Sequence, residues 1–242
     1  MATSRRNDGR RANELREVKI IPDFVRSADG SCLISMGKTR VICTASYVEG
    51  VEKWRQGSQL GWVTAEYGML PASTSTRKPR PIGKLDGRSV EIQRLIGRVI
   101  RNAVSFEKLG ERTIYLDCDV IEADGGTRTA AINGAFVALS LAVKKKTAAG
   151  LCPPGVITAS LAAVSVGVVG DKVLLDLDYS EDSAAQVDMN LAMTSRGEFV
   201  EIQGSAERRA FTADELAQML RVGQAGIRRI MAAQRKAILT TG

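Results

Sequence analysis

The chain has 242 residues, of which 44% are hydrophobic and 25% charged, and it carries a net charge of +7. That excess favours polyanionic partners, nucleic acid first. There is no histidine, which excludes Ser-His and Cys-His nucleophiles, histidine metal triads and histidine general bases, so any chemistry must run on carboxylates, arginines, backbone amides and a metal. Aromatic residues make up only 5%, so extended base stacking is not expected to carry nucleic-acid binding. No stretch approaches the length of an apolar membrane span, and MATSRRNDGRR at the start lacks a hydrophobic core region; neither a span nor a secretory signal is expected, and the expected compartment is the cytoplasm. Cys32, Cys43, Cys118 and Cys152 form no CxxC pair and read as small buried core residues in a reducing environment.

In chain order, a basic polar arm comes first. Val18–Asp23, Ser31–Met36 and Arg40–Ser46 read as strands, with Gly37-Lys38 a tight turn between the last two. Trp62–Met69 reads as a further extended segment. Pro71–Arg88, PASTSTRKPRPIGKLDGR, has almost nothing to bury and reads as a long exposed basic loop suited to phosphate backbones. Ser89–Arg101 spaces its apolar residues for a helix, with Ser89 as the expected N-cap and Arg94, Arg98 and Arg101 along one flank, assigned to packing or subunit contacts. Thr113–Ala123 alternates as a strand and runs through Gly125-Gly126-Thr127-Arg128 into a largely apolar helix. Leu161–Val169 and Val173–Asp178 are predicted to form a hairpin around Gly170-Asp171, and a second hairpin is predicted around Ser195-Arg196-Gly197. Thr212 with Glu215 is a capping box that opens a final helix running to about Leu239. Strands then helix, twice over, predict an α+β fold of two similar halves.

Two stretches can carry chemistry. In LLDLDYSEDSAAQVDMN, Asp182 and Asp188 fall at the ends of the connection between two predicted strands, where both can lean into one cleft and share a hard cation such as Mg2+. Asp176 and Asp178, at alternate positions of one predicted strand, are expected to be structural. The plain alternative is a solvated acidic turn. In the second stretch, glycines at a strand-to-helix turn let backbone N–H groups approach an anion at the helix N-terminus, and Arg128 adds a bidentate fork. Its plain alternative is a tight turn that needs glycine. A basic loop ending in Arg88, an anion cradle at Gly126, Thr127 and Arg128 and an acidic metal site together make a centre for phosphoryl transfer.

GWVTAEYGMLP, EIQRLIGR, LDCDVIEADGGTRTAAINGAFVAL, LDLDYSEDSAAQVDMN and VEIQGSAE, in this order, resemble the successive motifs of the RNase PH family of phosphate-dependent exoribonucleases. The resemblance implies an α+β, RNase PH-like fold, with residues 1–12 a flexible basic arm and 13–242 one catalytic domain. It implies phosphate binding by Arg88, Gly126, Thr127 and Arg128, catalytic or metal-binding Asp182 and Asp188, RNA contacts at Arg77 and Arg80, and Mg2+ with inorganic phosphate as co-substrate. It further implies trimming of tRNA precursors and other RNA 3′ ends by a homohexamer built as a trimer of dimers. Ala72 and Ser75 stand where the family more often has arginine and histidine. The alternatives are a non-catalytic RNA-binding subunit of an exosome-like ring and a hydrolytic metal nuclease; Arg128 and both aspartates weigh against the first.

Overall fold

The computed structural model describes residues 6–80 and 86–240. Strands β1 (Val18–Pro22), β2 (Gly30–Met36), β3 (Thr39–Glu49), β4 (Trp62–Met69) and β5 (Arg112–Glu122) form one sheet in the order β1-β2-β3-β5-β4, antiparallel throughout except for the parallel pair β4–β5. Between β4 and β5 run α1 (Gly87–Arg101) and the one-turn α2 (Phe106–Leu109). After β5 comes α3 (Thr127–Ala148), then β6 (Leu161–Val169), β7 (Lys172–Leu175), α4 (Tyr179–Ala184), β8 (Val187–Thr194), β9 (Phe199–Ala206) and α5 (Ala213–Leu239). The second sheet is antiparallel, in the order β7-β6-β8-β9.

α3 lies between the two sheets and touches β2, β3, β5 and β6, as well as α1 and α5. Its residues from Thr129 to Val143 are buried on every side, the state expected of a helix that is apolar all round. Small residues bring it close to the first sheet: a Cβ on Gly134 would lie 2.5 Å from Cys43 Sγ and 2.8 Å from Ile34 Cγ2. Asn133 locks it to the second sheet, its Nδ2 donating to the Ala163 carbonyl and its Oδ1 accepting from the Ala163 N–H, both at 2.8 Å. One hydrophobic core runs through both sheets. All four cysteines are buried and free, as expected of core residues.

The structure corrects four local expectations. First, the cap of α1 is Asp86, which accepts from Ser89 N at 2.8 Å; Ser89 lies inside the first turn. Second, the two acidic-stretch strands do not pair: β7 and β8 flank β6, and α4 carries the chain from one to the other. Third, Asp176 and Asp178 do not share a strand face. β7 ends at Leu175, Asp176 is fully buried with φ 56°, and Asp178 caps α4 in a capping box with Glu181. Fourth, the arm is pinned over its described part. Arg6 pairs with Glu181 and donates to the carbonyls of Leu175 (2.7 Å) and Asp176 (2.9 Å), and Arg10 Nη1 donates to the Asp176 carbonyl at 2.9 Å.

On the arginine flank of α1, Arg98 and Arg101 make contacts within the chain. Arg98 bridges to Glu201, while Arg101 donates to the Val63 carbonyl and lies 4.5 Å from the Trp62 ring centroid. The basic loop after β4 is partly described: Ser73 N donates to the Leu70 carbonyl and Lys78 N to the Pro71 carbonyl. Residues 81–85 of the expected loop lie outside the described residues.

Candidate active site

Gly125 (φ 77°) and Gly126 (φ 64°) turn the chain from β5 into α3, both in the left-handed region that favours glycine. Gly126 is the N-cap, and among the described residues no side chain caps the helix. The first N–H groups of a helix have no intrahelical acceptor, so those of Thr127 and Arg128 face outward on a terminus that already favours negative charge. Tyr67, buried on β4, donates its hydroxyl to Thr127 Oγ1 at 2.9 Å. With an acceptor position filled, Thr127 has its own O–H to donate to an anion. Burial raises the Tyr67 pKa, against the hydrogen bond to Thr127 and the charges of Arg88 and Arg128, so the phenol stays a neutral donor.

Arg128 is half-buried, and its Nη1 donates to Gln203 Oε1 at 2.9 Å and Glu91 Oε1 at 3.4 Å. Gln203 on β9 and Glu91 on α1 therefore hold the guanidinium between the two halves of the fold. Arg88 lies exposed in the first turn of α1.

Asp182 on α4 and Asp188 on β8 line one open cleft with Ser183, Ala185, Glu207 and Arg208. α4 brings Asp182 there because the Asp178–Glu181 capping box starts the helix one turn earlier. Burial raises the pKa of Asp182; Arg88, Arg128 and Arg16 oppose that rise, and Glu207 adds to it. Asp188 is pushed up to about 6, first by burial and then by the charge of Asp182, with Arg128 in opposition. Among the described residues its Oδ1 is buried without a hydrogen-bond partner, while Oδ2 takes a long contact, 3.5 Å, from Asn190 Nδ2. Two mutually repelling carboxylates, one with an orphaned oxygen, form a donor set that a cation would relieve.

The glycine turn and the acidic connection touch. A Cβ on Gly125 would lie 2.6 Å from the Asp178 carbonyl carbon. Arg88, Gly126, Thr127, Arg128, Asp182 and Asp188 are thus brought together, since the same arginines act on Tyr67 beside the cradle and on the cleft carboxylates. Arg77 and Arg80 are exposed on the loop after β4 and do not line the cleft. Sequence reasoning missed Tyr67, Glu207 and Arg208. Tyr67 carried a usable signal: it sits at an inward position of a strand that meets β5 in parallel, with Tyr67 opposite Cys118.

This fold and site match known proteins. The model of the 3′ exoribonuclease family's domain 1 matches residues 14–145, and that of its domain 2 matches residues 159–226. Ribonuclease PH of Neisseria meningitidis serogroup C is 54% identical over 231 residues, covering 95% of this chain and 96% of the relative; that of Neisseria gonorrhoeae is 53% identical over the same shares. Among solved structures, a chain of the Archaeoglobus fulgidus exosome with RNA bound to the active site has a TM-score of 0.81 at 24% identity, covering 95% of this chain and 92% of that one. Rice Rrp46 has a TM-score of 0.79 at 19% identity, covering 96% and 100%. At such identities the structural likeness carries the fold, and the two domain models with the 54% identical relative carry the family. The chain belongs to the 3′ exoribonuclease family.

Proposed function

We propose that Arg88, Arg128 and the N–H groups of Gly126, Thr127 and Arg128 hold inorganic phosphate for attack on the last internucleotide phosphorus of an RNA 3′ end, with tRNA precursors as substrates. The reaction class is that of the family, phosphorolytic 3′-to-5′ exoribonuclease action. A bond forms from a phosphate oxygen to phosphorus, and the bond from phosphorus to the 3′-oxygen breaks. A nucleoside 5′-diphosphate leaves, and the shortened chain keeps a 3′-hydroxyl. Phosphate is anionic at neutral pH and needs little activation, which suits a chain without histidine. The task left to the protein is to hold one anion in line with another and offset their repulsion. What supports this reading above all is the uncapped N-terminus of α3, beside Arg128 and directly against the carboxylate connection.

Asp182 and Asp188 would hold Mg2+. Among the described residues no cluster of three or more acidic, cysteine or histidine ligands exists. Mg2+ is nevertheless commonly bound by one or two carboxylates with substrate phosphates and water, so the pair and the orphaned Asp188 oxygen fit it. When bound, the ion supplies positive charge for the oxygens of the reacting phosphates. Arg77 and Arg80 are proposed to meet the RNA backbone away from the cleft, through charge alone.

The test is product analysis. Nucleoside diphosphates should accumulate only when phosphate is present, and monophosphates formed without phosphate would mean hydrolysis. We infer further that the working form is a homohexamer, a trimer of dimers. Light scattering should give the hexamer mass, and a stable, active monomer would remove the ring.

A further inference from the structure

Several buried charges are given no contact with substrate in the chemistry above. Arg16, just before β1, is 6% exposed, and Asp176 is 0% exposed. Arg16 N donates to Asp176 Oδ2 at 2.8 Å, Nε to the same oxygen at 3.1 Å, and Nη2 to Oδ1 at 2.7 Å. The remaining nitrogen, Nη1, donates to the carbonyls of Asp124 at 2.6 Å and Gly125 at 3.4 Å. One side chain thus ties the residue that leads into α4 to the turn that leads into α3.

Both ends of this tie are themselves fixed. Asp176 holds a left-handed φ of 56°, which a non-glycine residue keeps only where its surroundings over-determine it. Its N–H donates to the Ser165 carbonyl at 2.7 Å, and its carbonyl accepts from Arg6 and Arg10, each at 2.9 Å. At the other end, Thr39 Oγ1 donates to the Gly125 carbonyl at 2.6 Å and accepts from Asp124 N at 2.8 Å. There is no slack in between: a Cβ on Gly126 would lie 2.9 Å from Arg16 Nη2.

Desolvation offsets much of the attraction in a buried ion pair, so stability alone is a poor account of this one. What a guanidinium supplies that an ammonium does not is a rigid planar fork. We propose that Arg16, held by Asp176, is a positioning residue that sets the spacing between the N–H groups at Gly126–Arg128 and the carboxylate helix α4, and thereby the affinity for phosphate. The inference rests on the phosphate site proposed above.

Arg16→Lys keeps the charge and gives up the fork. Thr39→Val removes the second hold on Gly125 without disturbing a charge, and Thr39→Ser restores it. Each is compared with Arg128→Ala in steady-state trimming, varying phosphate at saturating RNA and RNA at saturating phosphate. Arg16→Lys should raise the KM for phosphate by about ten-fold, the scale of a modest misplacement of a bound reactant, with the KM for RNA and the circular dichroism spectrum unchanged. Thr39→Val should raise it less, and Thr39→Ser should return it to the wild-type value. In an Arg128→Ala background Arg16→Lys should add little, because the two act on one bound anion. If Arg128→Ala is impaired while a folded Arg16→Lys keeps the wild-type phosphate KM, the positioning role is overturned and the phosphate site stands. Should Arg16→Lys fail to fold, a folded Thr39→Val with wild-type phosphate KM overturns it equally. A fall in kcat with both KM values unchanged also overturns it. If Arg128→Ala itself keeps the wild-type phosphate KM, the phosphate site fails and this inference fails with it.

Discussion

Asp188→Asn should abolish trimming and at the same time make the metal-free protein more stable. The Asp188 carboxyl is pushed from an ordinary 3.8 to about 6, chiefly by burial and then by the charge of Asp182. A rise of that size means the folded state resists the charged form by roughly 2–3 kcal/mol. Asparagine keeps the shape and removes the charge, so most of that penalty should be relieved. Because the folded pKa lies above the unfolded one, wild-type stability is fully present below the unfolded value of 3.8 and is lost as pH rises through about 6. The advantage of Asp188→Asn should therefore be complete near pH 7.5, narrow as pH falls through about 6 and close by about 4. Urea denaturation in EDTA at several pH values measures this, and a trimming assay with Mg2+ measures the loss, expected at no less than about 100-fold for a charge that acts on the reacting phosphates. Asp182→Asn should also lose activity, with a smaller gain in stability, and raised Mg2+ or Mn2+ should partly rescue either variant. Full activity of both variants in EDTA would leave the cluster as only an acidic turn. A variant less stable than wild type at pH 7.5 would show that Asp188 is held by interactions the structure lacks.

How much of this was legible beforehand depends on whether the deciding signal was local. The glycine turn into α3 was legible because strand alternation to Glu122, two glycines and an apolar run follow one another directly. The start of α5 was legible for the same reason, since Thr212 and Glu215 lie within one turn and form the capping box. α4 was not read, although its signal was present: Asp178 and Glu181 have capping-box spacing. Its six residues are too few and too polar to show an apolar period, so the acidic stretch looked like two strands joined by a turn. Asp86 and Ser89 are both plausible caps, and only the structure decides between them. Strand order was beyond local reading, because β7 and β8 each prefer β6 to each other. The ion pairs of Arg6, Arg10 and Arg16 with Asp176 and Glu181 join residues more than 150 positions apart. Nothing in one sequence marks such a partnership, and an arginine-rich start with no visible partner reads as a free arm.

Arg128→Ala should cost more than Arg88→Ala, and both should act on phosphate before they act on RNA. Arg128 is gripped by Gln203 and Glu91 and acts on Asp182 and Asp188 alike. Its guanidinium is already oriented when phosphate arrives, so little ordering is left to do on binding. Arg88 is exposed in the first turn of α1 and must be ordered by the anion. Removing a preorganised charged donor from a phosphoryl-transfer site costs on the order of 2–4 kcal/mol in the transition state, or roughly 30- to 1,000-fold in rate at limiting phosphate. For Arg128→Ala the upper part of that range is expected, and for Arg88→Ala the lower part. Arg128→Ala carries a second effect in the opposite sense. Asp182 and Asp188 lose a cation that favours their charged forms, so their pKa values should climb further. The activity that remains should therefore shift to higher pH, whereas in Arg88→Ala only Asp182 loses an opposing charge and the shift should be smaller. Rates measured against phosphate concentration at several pH values separate the two effects. Wild-type rates for both variants at limiting phosphate would mean that the N-terminus of α3 binds no phosphate in turnover. A phosphate KM unchanged beside a raised KM for RNA would move both arginines from the nucleophile to the substrate strand.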